Sequence, residues 1–269
     1  IMAKAVYNEI SNRFDGNSFL ADVDEQASRP SGLVDLQKQL INDILGKQNL
    51  NISHVHQGSK LIEQRFKRKK ILLVLDDVDD PAQLNALARE LNWFGPGSRI
   101  IITTRNQQVL KVGRVNDNDI YNIKVLDDNH SLQLFSMHAF GINQPPEHYM
   151  ELSRKLINYA AGLPLTLEVM GSSLCCTRKE EWESALNKWK VLPPAEVHQK
   201  LKISYDKLEN TEKAIFLDIA CFFIGMNKEK AMYIWEGCGF HPDFELNLLI
   251  RRSLVSINEK NELRMHNQL

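Results

Sequence analysis

The sequence has little cysteine, no excess of charge of either sign, and no apolar run long enough to cross a bilayer. No secretory signal peptide is evident. With 33 basic and 34 acidic residues, the net charge of −1 excludes a global field that would attract nucleic acid or an anionic membrane. Only four cysteines occur among the 269 residues, and they are Cys175, Cys176, Cys221 and Cys238.

No two of these cysteines have the C-x-x-C spacing, so buried free thiols in a reducing environment are expected rather than disulfides. The adjacent pair Cys175–Cys176 has no further metal ligands nearby in the sequence, and we expect no metal site there. A chain of this length, 43% hydrophobic, can form two or three domains with cores. Because neither end carries a terminal feature, the chain is expected to be part of something longer.

The first half of the chain alternates between predicted strands and predicted helices. This alternation predicts a parallel α/β sheet with helices on its faces. Ser31 precedes an apolar repeat at helical spacing and is predicted to cap it. The predicted strands are Ser18–Val23, Ile71–Val78, Arg99–Thr103 and Tyr121–Val125, and the predicted helices are Ala3–Phe14, Ser31–Leu45, Lys60–Lys70 and Pro81–Leu91.

From residue 127 onward the pattern is helical, and it ends in a predicted β-hairpin around the polar turn Asn258–Asn261. Helices followed by a hairpin indicate a winged helix, so we predict three domains: 1–126 (α/β), 127–192 (helical) and 193–269 (winged helix). The Ile215–Phe223 run is apolar nearly all round and predicts a buried core helix. The predicted helices of this part are Ser131–Phe140, His148–Ala161, Leu165–Leu174, Glu180–Trp189, Val197–Leu208, Thr211–Phe223 (which contains the apolar run) and Leu246–Arg252.

Two apolar segments end in residues that suit a nucleotide and its metal. ILLVLDD ends in Asp76 and Asp77, and SRIIITTR ends in Thr104 and Arg105. Buried parallel strands place their carboxyl ends on one rim, where α/β sheets bind ligands. A carboxylate pair beside threonine and arginine is what a Mg²⁺–nucleotide needs. However, no G-x-x-x-x-G-K-[ST] phosphate loop occurs in the sequence.

Several segments, taken together in their order and spacing, resemble the NB-ARC region of plant intracellular immune receptors. The resemblance extends over essentially the whole chain, and implies a partial P-loop-type α/β domain followed by helical and winged-helix domains. Asp79 stands where the coiled-coil class usually has tryptophan, which favours the class with an N-terminal TIR domain. The segments that carry it include AKAVYNEI, LLVLDDVD, WFGPGSRIIITTR, AGLPLTLEVMGS, EEWESAL, LKISYDKL, IFLDIACFF and RMHNQL.

The resemblance assigns roles to the residues on the rim. Asp76 would hold Mg²⁺ through water, and Asp77 would polarise an attacking water. Thr104 and Arg105 would bind nucleotide, with Arg105 sensing the γ-phosphate through its fork of donors. Two alternatives stay open from the residues alone: one aspartate only caps the following turn, or Arg105 forms a surface salt bridge with one of the aspartates.

Two further positions are implied by the resemblance. Pro164 in GLPL would pack on the base or sugar, although Gly162-Leu163-Pro164 also reads as an ordinary helix start. His266 in RMHNQL would bond the β-phosphate of ADP, although a single histidine after a strand is usually structural. Asn267 replaces the usual aspartate of this motif, and the hypothesis is that it weakens the ADP-bound closed state.

The resemblance also accounts for the missing phosphate loop. In the family this loop lies directly before the segment that matches Ala3–Ile10, so the chain is expected to begin within or just after it. The lysine and the hydroxyl that would hold β-phosphate and Mg²⁺ are then absent, together with the backbone N–H groups of the loop. We therefore expect this chain alone to bind nucleotide poorly.

The predicted function is an ADP/ATP-dependent switch in a plant immune receptor, with Mg²⁺ as its metal. TIR and leucine-rich-repeat domains are implied as partners, as is a homo-oligomer on activation. A cytoplasmic location is implied, with the nucleus as a second one, and neither membrane nor nucleic acid is an expected partner. One alternative is a true ATPase whose turnover resets the switch, for which Asp77 is the discriminating residue; any such activity is expected to be weak and to belong to the parent protein. The others are a winged-helix DNA-binding regulator and a degenerate or truncated receptor without nucleotide binding.

Overall fold

A computed structural model describes residues 2–47, 51–252 and 254–265, without the side chains of five residues between 196 and 204. The chain divides into two compact units. The first comprises Ile1–Ile120 and Arg251–Ser253, and the second comprises Tyr121–Ile250 and Leu254–Leu269. Each unit has its own buried apolar core. The predicted domain boundaries after residues 126 and 192 stay a prediction.

In the described part of the first unit, three parallel strands form a sheet in the order β1–β2–β3. They are β1 (Gly16–Leu20), β2 (Ile71–Leu75) and β3 (Arg99–Ile102). Leu20 pairs with Leu75, and Leu75 pairs with Ile102, so the three strands end at the same level. The central strand β2 is buried along its whole length, as expected for a parallel strand covered on both faces.

Helices surround this sheet and pack apolar residues against it. In α3, the side chains of Leu36, Leu40 and Ile44 are buried at four-residue steps, which places them on one helix face. The helices of the first unit are α1 (Met2–Ile10), α2 (Val23–Ala27), α3 (Gly32–Leu45), α4 (Val55–Phe66), α5 (Pro81–Ala88) and α6 (Gln107–Val112).

Three predictions for this half of the chain need correction. The first strand begins two residues and ends three residues earlier than predicted, because Val23 starts α2 and is buried there. Ser31 has φ 63° and makes no capping hydrogen bond, so its predicted capping role is wrong. Tyr121–Val125 is not a strand: it pairs with no described strand, and its alternating apolar side chains are exposed.

The second unit begins with four helices: α7 (Asp128–Phe140), α8 (Met150–Ala160), α9 (Pro164–Leu174) and α10 (Lys179–Val191). All four were predicted, with ends that differ by a few residues. Their shared core contains Phe135 and Trp182, whose rings meet edge to face with centroids 5.7 Å apart. Trp182 also stacks on Phe140, at 5.2 Å, so one tryptophan connects α7 with α10.

The remaining described residues of this unit form four α-helices, a π-helical turn and a short antiparallel hairpin, which matches the predicted winged-helix arrangement. Asn261 donates its N–H to the Asn258 carbonyl at 2.9 Å and closes the predicted hairpin turn. The elements are α11 (Ala195–Asp206), α12 (Asn210–Asp218), α13 (Lys228–Gly237), α14 (Pro242–Arg251), β4 (Ser256–Ile257) and β5 (Leu263–Arg264).

The prediction of a fully buried helix at Ile215–Phe223 is wrong in part. Helix α12 ends at Asp218, and a π-helical turn continues to Phe223. Ile215, Phe216 and Ile219 are buried, whereas Phe222 is 76% exposed. Only one face of α12 packs against the core. The π-helical turn changes the number of residues per turn, so the apolar residues after Asp218 do not all lie on that face. The sequence pattern also missed α13, whose face carries many polar residues.

All four cysteines are free thiols, but all four are exposed, so the expectation that they are buried is wrong. Cys221 lies on the outward side of the π-helical turn, and Cys238 follows the end of α13. The apolar run around Cys221 misled the prediction, because Leu217, Cys221 and Phe222 within it are exposed. None of the described helices is long and apolar enough to cross a membrane.

Candidate functional site

The predicted rim residues lie together at the carboxyl ends of β2 and β3. Asp76 and Asp77 directly follow β2, and Thr103, Thr104 and Arg105 directly follow β3. The last residues of the two strands are register partners, so both segments leave the sheet at the same level. The structure thereby brings together four of the residues selected from the sequence.

Thr103 connects the two aspartates to the neighbouring strand. Its hydroxyl donates to Oδ1 of Asp76 at 2.6 Å and accepts the backbone N–H of Asp77 at 2.8 Å. Its backbone N–H donates to the Leu75 carbonyl, and its carbonyl accepts the N–H of Val78, both at 2.9 Å. This one residue therefore fixes the position of both carboxylate-bearing residues. Sequence reasoning did not assign it this role, although a hydroxyl one residue past β3, opposite a carboxylate, was the available signal.

Asp77 has a left-handed backbone conformation, with φ 56°. Aspartate tolerates this region better than most residues because its short polar side chain can bond locally. The turn carries the Asp77 carboxylate to Arg105, whose Nη2 lies 3.2 Å from Oδ1 and 3.3 Å from Oδ2. Both side chains are partly exposed, at 39% for Asp77 and 46% for Arg105. The salt-bridge alternative for Arg105 is thus realised in this structure.

Thr104 takes part in a local turn, and its predicted contact with nucleotide stays a prediction. Its hydroxyl accepts the N–H of Asn106 at 2.9 Å and donates to the Asn106 carbonyl at 3.2 Å, so it is engaged in a local turn. Asn106 in turn donates to the Asp79 carbonyl at 2.8 Å and caps α6 by accepting the N–H of Gln108. Asn106 was not selected from the sequence, yet it fixes the loop that carries Arg105.

The rim is also anchored from the side of β1. Val23 donates its N–H to the Asp76 carbonyl at 2.8 Å, and Asp24 donates to the Asp77 carbonyl at 3.2 Å. Gln83 connects this loop to α5, because its Nε2 donates to Oδ1 of Asp24 at 2.9 Å. The aspartate turn is therefore bonded on both sides, which holds the backbone in one conformation.

Asp76 has the features that a magnesium ligand at this position needs. Its carboxylate is half-buried, Oδ1 is occupied by Thr103, and no donor to Oδ2 is found among the described residues. The same part of the chain contains no group of three His, Cys, Asp or Glu residues that could hold a metal alone. Mg²⁺ needs only one or two carboxylates when phosphates and waters complete its shell, so the residues fit a nucleotide-bound Mg²⁺.

Pro164 is the exposed first residue of α9, in the second unit. It follows two residues with left-handed backbones, Ala161 (φ 50°) and Gly162 (φ 75°). A Cβ at Gly162 would lie 2.4 Å from the Leu126 carbonyl oxygen, so glycine is required there. The helix-start interpretation of this segment is confirmed, and the proline ring stays accessible to a ligand. His266 and Asn267 lie outside the described residues.

One cleft in the first unit lies away from this rim. It has a volume of about 480 Å³ and lies between α4 and α5, where Val55, Ser59, Ala86 and Trp93 are among its lining residues. None of the rim residues contributes to it. The candidate site is accordingly a set of fixed side chains on an open rim, and a ligand bound there would need further contacts from elsewhere.

Comparison with known proteins agrees with this geometry. The family model for the NB-ARC domain matches residues 1–144, more than half of the chain. The chain belongs to the NB-ARC family. Residues 209–269 match the winged-helix domain of Roq1-like disease resistance proteins, and this range contains α12 to α14 and the hairpin. The resemblance to NB-ARC proteins and the predicted fold class are both confirmed.

Curated relatives of this NB-ARC chain are plant disease resistance proteins. Disease resistance protein RUN1 of Vitis rotundifolia is 42% identical over 98% of the chain, which spans 20% of that protein. The TMV resistance protein N of Nicotiana glutinosa is 40% identical over 98% of the chain, spanning 23% of that protein. The probable disease resistance protein RPP1 of Arabidopsis thaliana is 35% identical over the whole chain. The chain thus spans about a fifth of the length of these relatives.

Membership of the NB-ARC family implies nucleotide binding as a property of the family. The rim geometry is the feature of this chain that bears on which nucleotide and which metal ion it would take.

Proposed function

We propose that this chain is the nucleotide-responsive switch region of a plant immune receptor. The observation that carries the proposal is the contact of the Thr103 hydroxyl with the Asp76 carboxylate and with the backbone N–H of Asp77, whose own carboxylate pairs with Arg105. The matches to plant disease resistance proteins support the receptor assignment. Because the chain spans about a fifth of those relatives, the activity of the whole receptor is part of the proposal.

In this proposal Asp76 holds Mg²⁺ through water with the carboxylate oxygen that Thr103 leaves available. When bound, Mg²⁺ would neutralise part of the phosphate charge. Pro164 packs on the base or sugar, and His266 bonds the β-phosphate of ADP. These roles rest on the family motifs. The half-buried position of Asp76 supports its role as a metal ligand, and the exposed position of Pro164 supports its contact with the nucleotide.

The Arg105–Asp77 ion pair supplies a way to distinguish ADP from ATP. Arg105 can pair either with Asp77 or with a terminal phosphate, and only ATP offers a γ-phosphate. An exposed ion pair of this kind contributes roughly 0–1 kcal/mol, so a phosphate can compete for the guanidinium. When the arginine leaves, the Asp77 carboxylate becomes available to polarise water. A ligand that contacts the two states differently is what a switch requires.

The remaining parts of the proposal follow the family. TIR and leucine-rich-repeat domains are the partners, a homo-oligomer forms on activation, and the receptor acts in the cytoplasm, with the nucleus as a second location. The proposal also divides the chain into three domains: residues 1–126 (α/β), 127–192 (helical) and 193–269 (winged helix). ATP hydrolysis, if it occurs, is weak and belongs to the complete receptor. Asn267 in place of aspartate is proposed to weaken the ADP-bound closed state.

The test is the affinity for ADP and ATP, measured by calorimetry with Mg²⁺. The chain is compared with a version extended at its N-terminus by a phosphate loop, and with D76N in that extended version. We expect tight binding by the extended chain, weak binding by the chain alone, and loss of the Mg²⁺-dependent part of ATP binding in D76N. Equal binding by both chains contradicts the role given to the missing loop.

The second candidate is a degenerate receptor region without nucleotide activity. Failure of the extended chain to bind either nucleotide would support it. A winged-helix DNA-binding regulator is disfavoured by the net charge of −1 and by the mixed charge of residues 197–269.

A further inference from the structure

The turn between α9 and α10 contains two adjacent cysteines in a defined conformation. Cys175 has φ −57° and ψ 131°, and Cys176 has φ 61°. The Leu174 carbonyl accepts the N–H of Thr177 at 3.2 Å and the Thr177 hydroxyl at 2.8 Å. These values describe a type II β-turn with the cysteines at its two central positions. The second of these positions normally favours glycine.

The turn places the two sulfur atoms side by side on the surface. Their separation is 3.5 Å, and both residues are exposed. The hydrogen bond between the two thiols raises the pKa of Cys175. Since the backbone of the turn is fixed by the bonds to Leu174, the two thiols need little rearrangement to act together on one reagent.

Direct disulfide formation does not suit this pair. All peptide bonds of the described residues are trans, which places adjacent Cα atoms about 3.8 Å apart. Disulfides usually join Cα atoms about 4.4–6.8 Å apart, so bonding of the two sulfurs would strain the turn. A zinc site is also disfavoured: it needs about four ligands, and no group of three candidate ligands exists in the described part of the chain.

One soft atom bonded to both sulfurs avoids the strain of a direct disulfide and needs no further protein ligand. We propose that Cys175 and Cys176 form a vicinal dithiol site for trivalent arsenicals of the type R–As(OH)₂. Each thiol replaces one hydroxyl at arsenic, so two As–S bonds form, two As–O bonds break, and two water molecules leave with the thiol protons. Arsenic stays trivalent and no electron is transferred. Thiolate sulfur is the ligand that soft centres prefer, and the third valence of arsenic carries the group R.

The proposal distinguishes this pair from the other two cysteines. Cys221 and Cys238 are also exposed, but they lie seventeen residues apart in sequence, and no contact between their sulfurs is found in the structure. Each of them can offer one thiol, whereas the turn offers two at once. A second bond formed within the same molecule raises affinity by roughly 10²–10⁴-fold over a single one.

The probe is phenylarsine oxide, with binding followed by native mass spectrometry and by competition with 2-mercaptoethanol and 2,3-dimercaptopropanol. We expect the chain and the C221S/C238S variant to bind one phenylarsenic group each, with resistance to the monothiol and release by the dithiol. C175S and C176S should each lose about 100-fold or more in affinity. Unchanged thermal unfolding of the two single variants establishes that the loss is local.

Retention of the monothiol-resistant group by C175S/C176S overturns the proposal, because binding must then occur elsewhere. Its loss in C221S/C238S with the turn intact does the same. Neither result depends on nucleotide binding, so the arsenical site and the proposed switch stand or fall separately.

Discussion

The hydroxyl of Thr103 donates to Oδ1 of Asp76 at 2.6 Å, across the ends of two neighbouring parallel strands. The same oxygen accepts the N–H of Asp77 at 2.8 Å. A single side chain at the end of β3 therefore sets the geometry of both acidic residues at the end of β2. The orientation of the candidate metal ligand thus depends on a neutral residue of another strand.

Replacing Thr103 with valine removes both bonds while it keeps the shape of the side chain. Because one lost partner is a carboxylate and the site is half-buried, we expect T103V to lower the free energy of unfolding by about 1–3 kcal/mol. T103S keeps the hydroxyl and should lose much less. Urea unfolding measures both. Equal losses in the two variants would mean that packing of the methyl group, and not the hydroxyl, is what matters.

The Arg105–Asp77 pair is expected to matter for ligand choice rather than for stability. Since both side chains are partly exposed, R105A should change the free energy of unfolding by less than about 1 kcal/mol. In the chain extended by a phosphate loop, the same variant should weaken ATP binding more than ADP binding. R105K is the control, because it keeps the charge and loses the fork. An equal effect of R105A on both nucleotides would contradict the role as a γ-phosphate sensor.

Gly162 is expected to tolerate no side chain, and Gly141 provides a matched comparison in the same unit. Both have left-handed backbones, with φ 75° and 71°. A Cβ at Gly162 would meet the Leu126 carbonyl at 2.4 Å, whereas none of the described atoms lies within 4 Å of one at Gly141. Both alanine variants carry the backbone strain of roughly 1–2 kcal/mol, and only G162A adds the clash. The melting temperature of G162A should therefore be well below that of G141A.

Asp127 is expected to make the second unit sensitive to acid. It caps α7 by accepting the His130 N–H at 2.9 Å, and this bond, followed by that to the His130 ring, lowers the pKa of the carboxyl below its usual value of 3.8. A carboxyl with a lowered folded pKa stabilises the fold above its unfolded pKa. That contribution disappears as pH falls through the folded pKa.

The variant D127N separates this titration from capping, since asparagine also caps helices. Urea midpoints measured between about pH 3 and pH 6 should fall less steeply for D127N than for the unmodified chain. Because the group is exposed, the difference is expected to be small. If the urea midpoints of the two proteins fall in parallel with pH, Asp127 does not contribute to the loss of stability in acid.

The buried centre of the first unit could be predicted from the sequence because its signals are local and continuous. Five apolar residues at Ile71–Leu75 form a strand that is covered on both faces, and the aspartates follow directly. Tyr121–Val125 shows the limit of such patterns. Its alternation is that of a half-buried strand, but a strand needs a partner, and none of the described strands pairs with it.

The charged residues of the candidate site could be selected from the sequence, but the hydrogen bonds that hold them could not. Aspartate and arginine are conspicuous after apolar strands, so Asp76, Asp77 and Arg105 could be selected from the sequence. Thr103 was not assigned a role because its function depends on the register between β2 and β3. Ser31 illustrates the converse error: its residue type favours an N-cap, but its φ of 63° prevents that geometry.

The left-handed backbone at Asp77 restricts which residues can occupy this position. Asparagine and glycine reach φ 56° readily, whereas alanine or a β-branched residue would have to move the turn that two neighbouring loops hold in place. Charge can be removed from this position by D77N with the main chain left intact. The alanine commonly chosen to remove a carboxylate would instead test the turn and the acid at once.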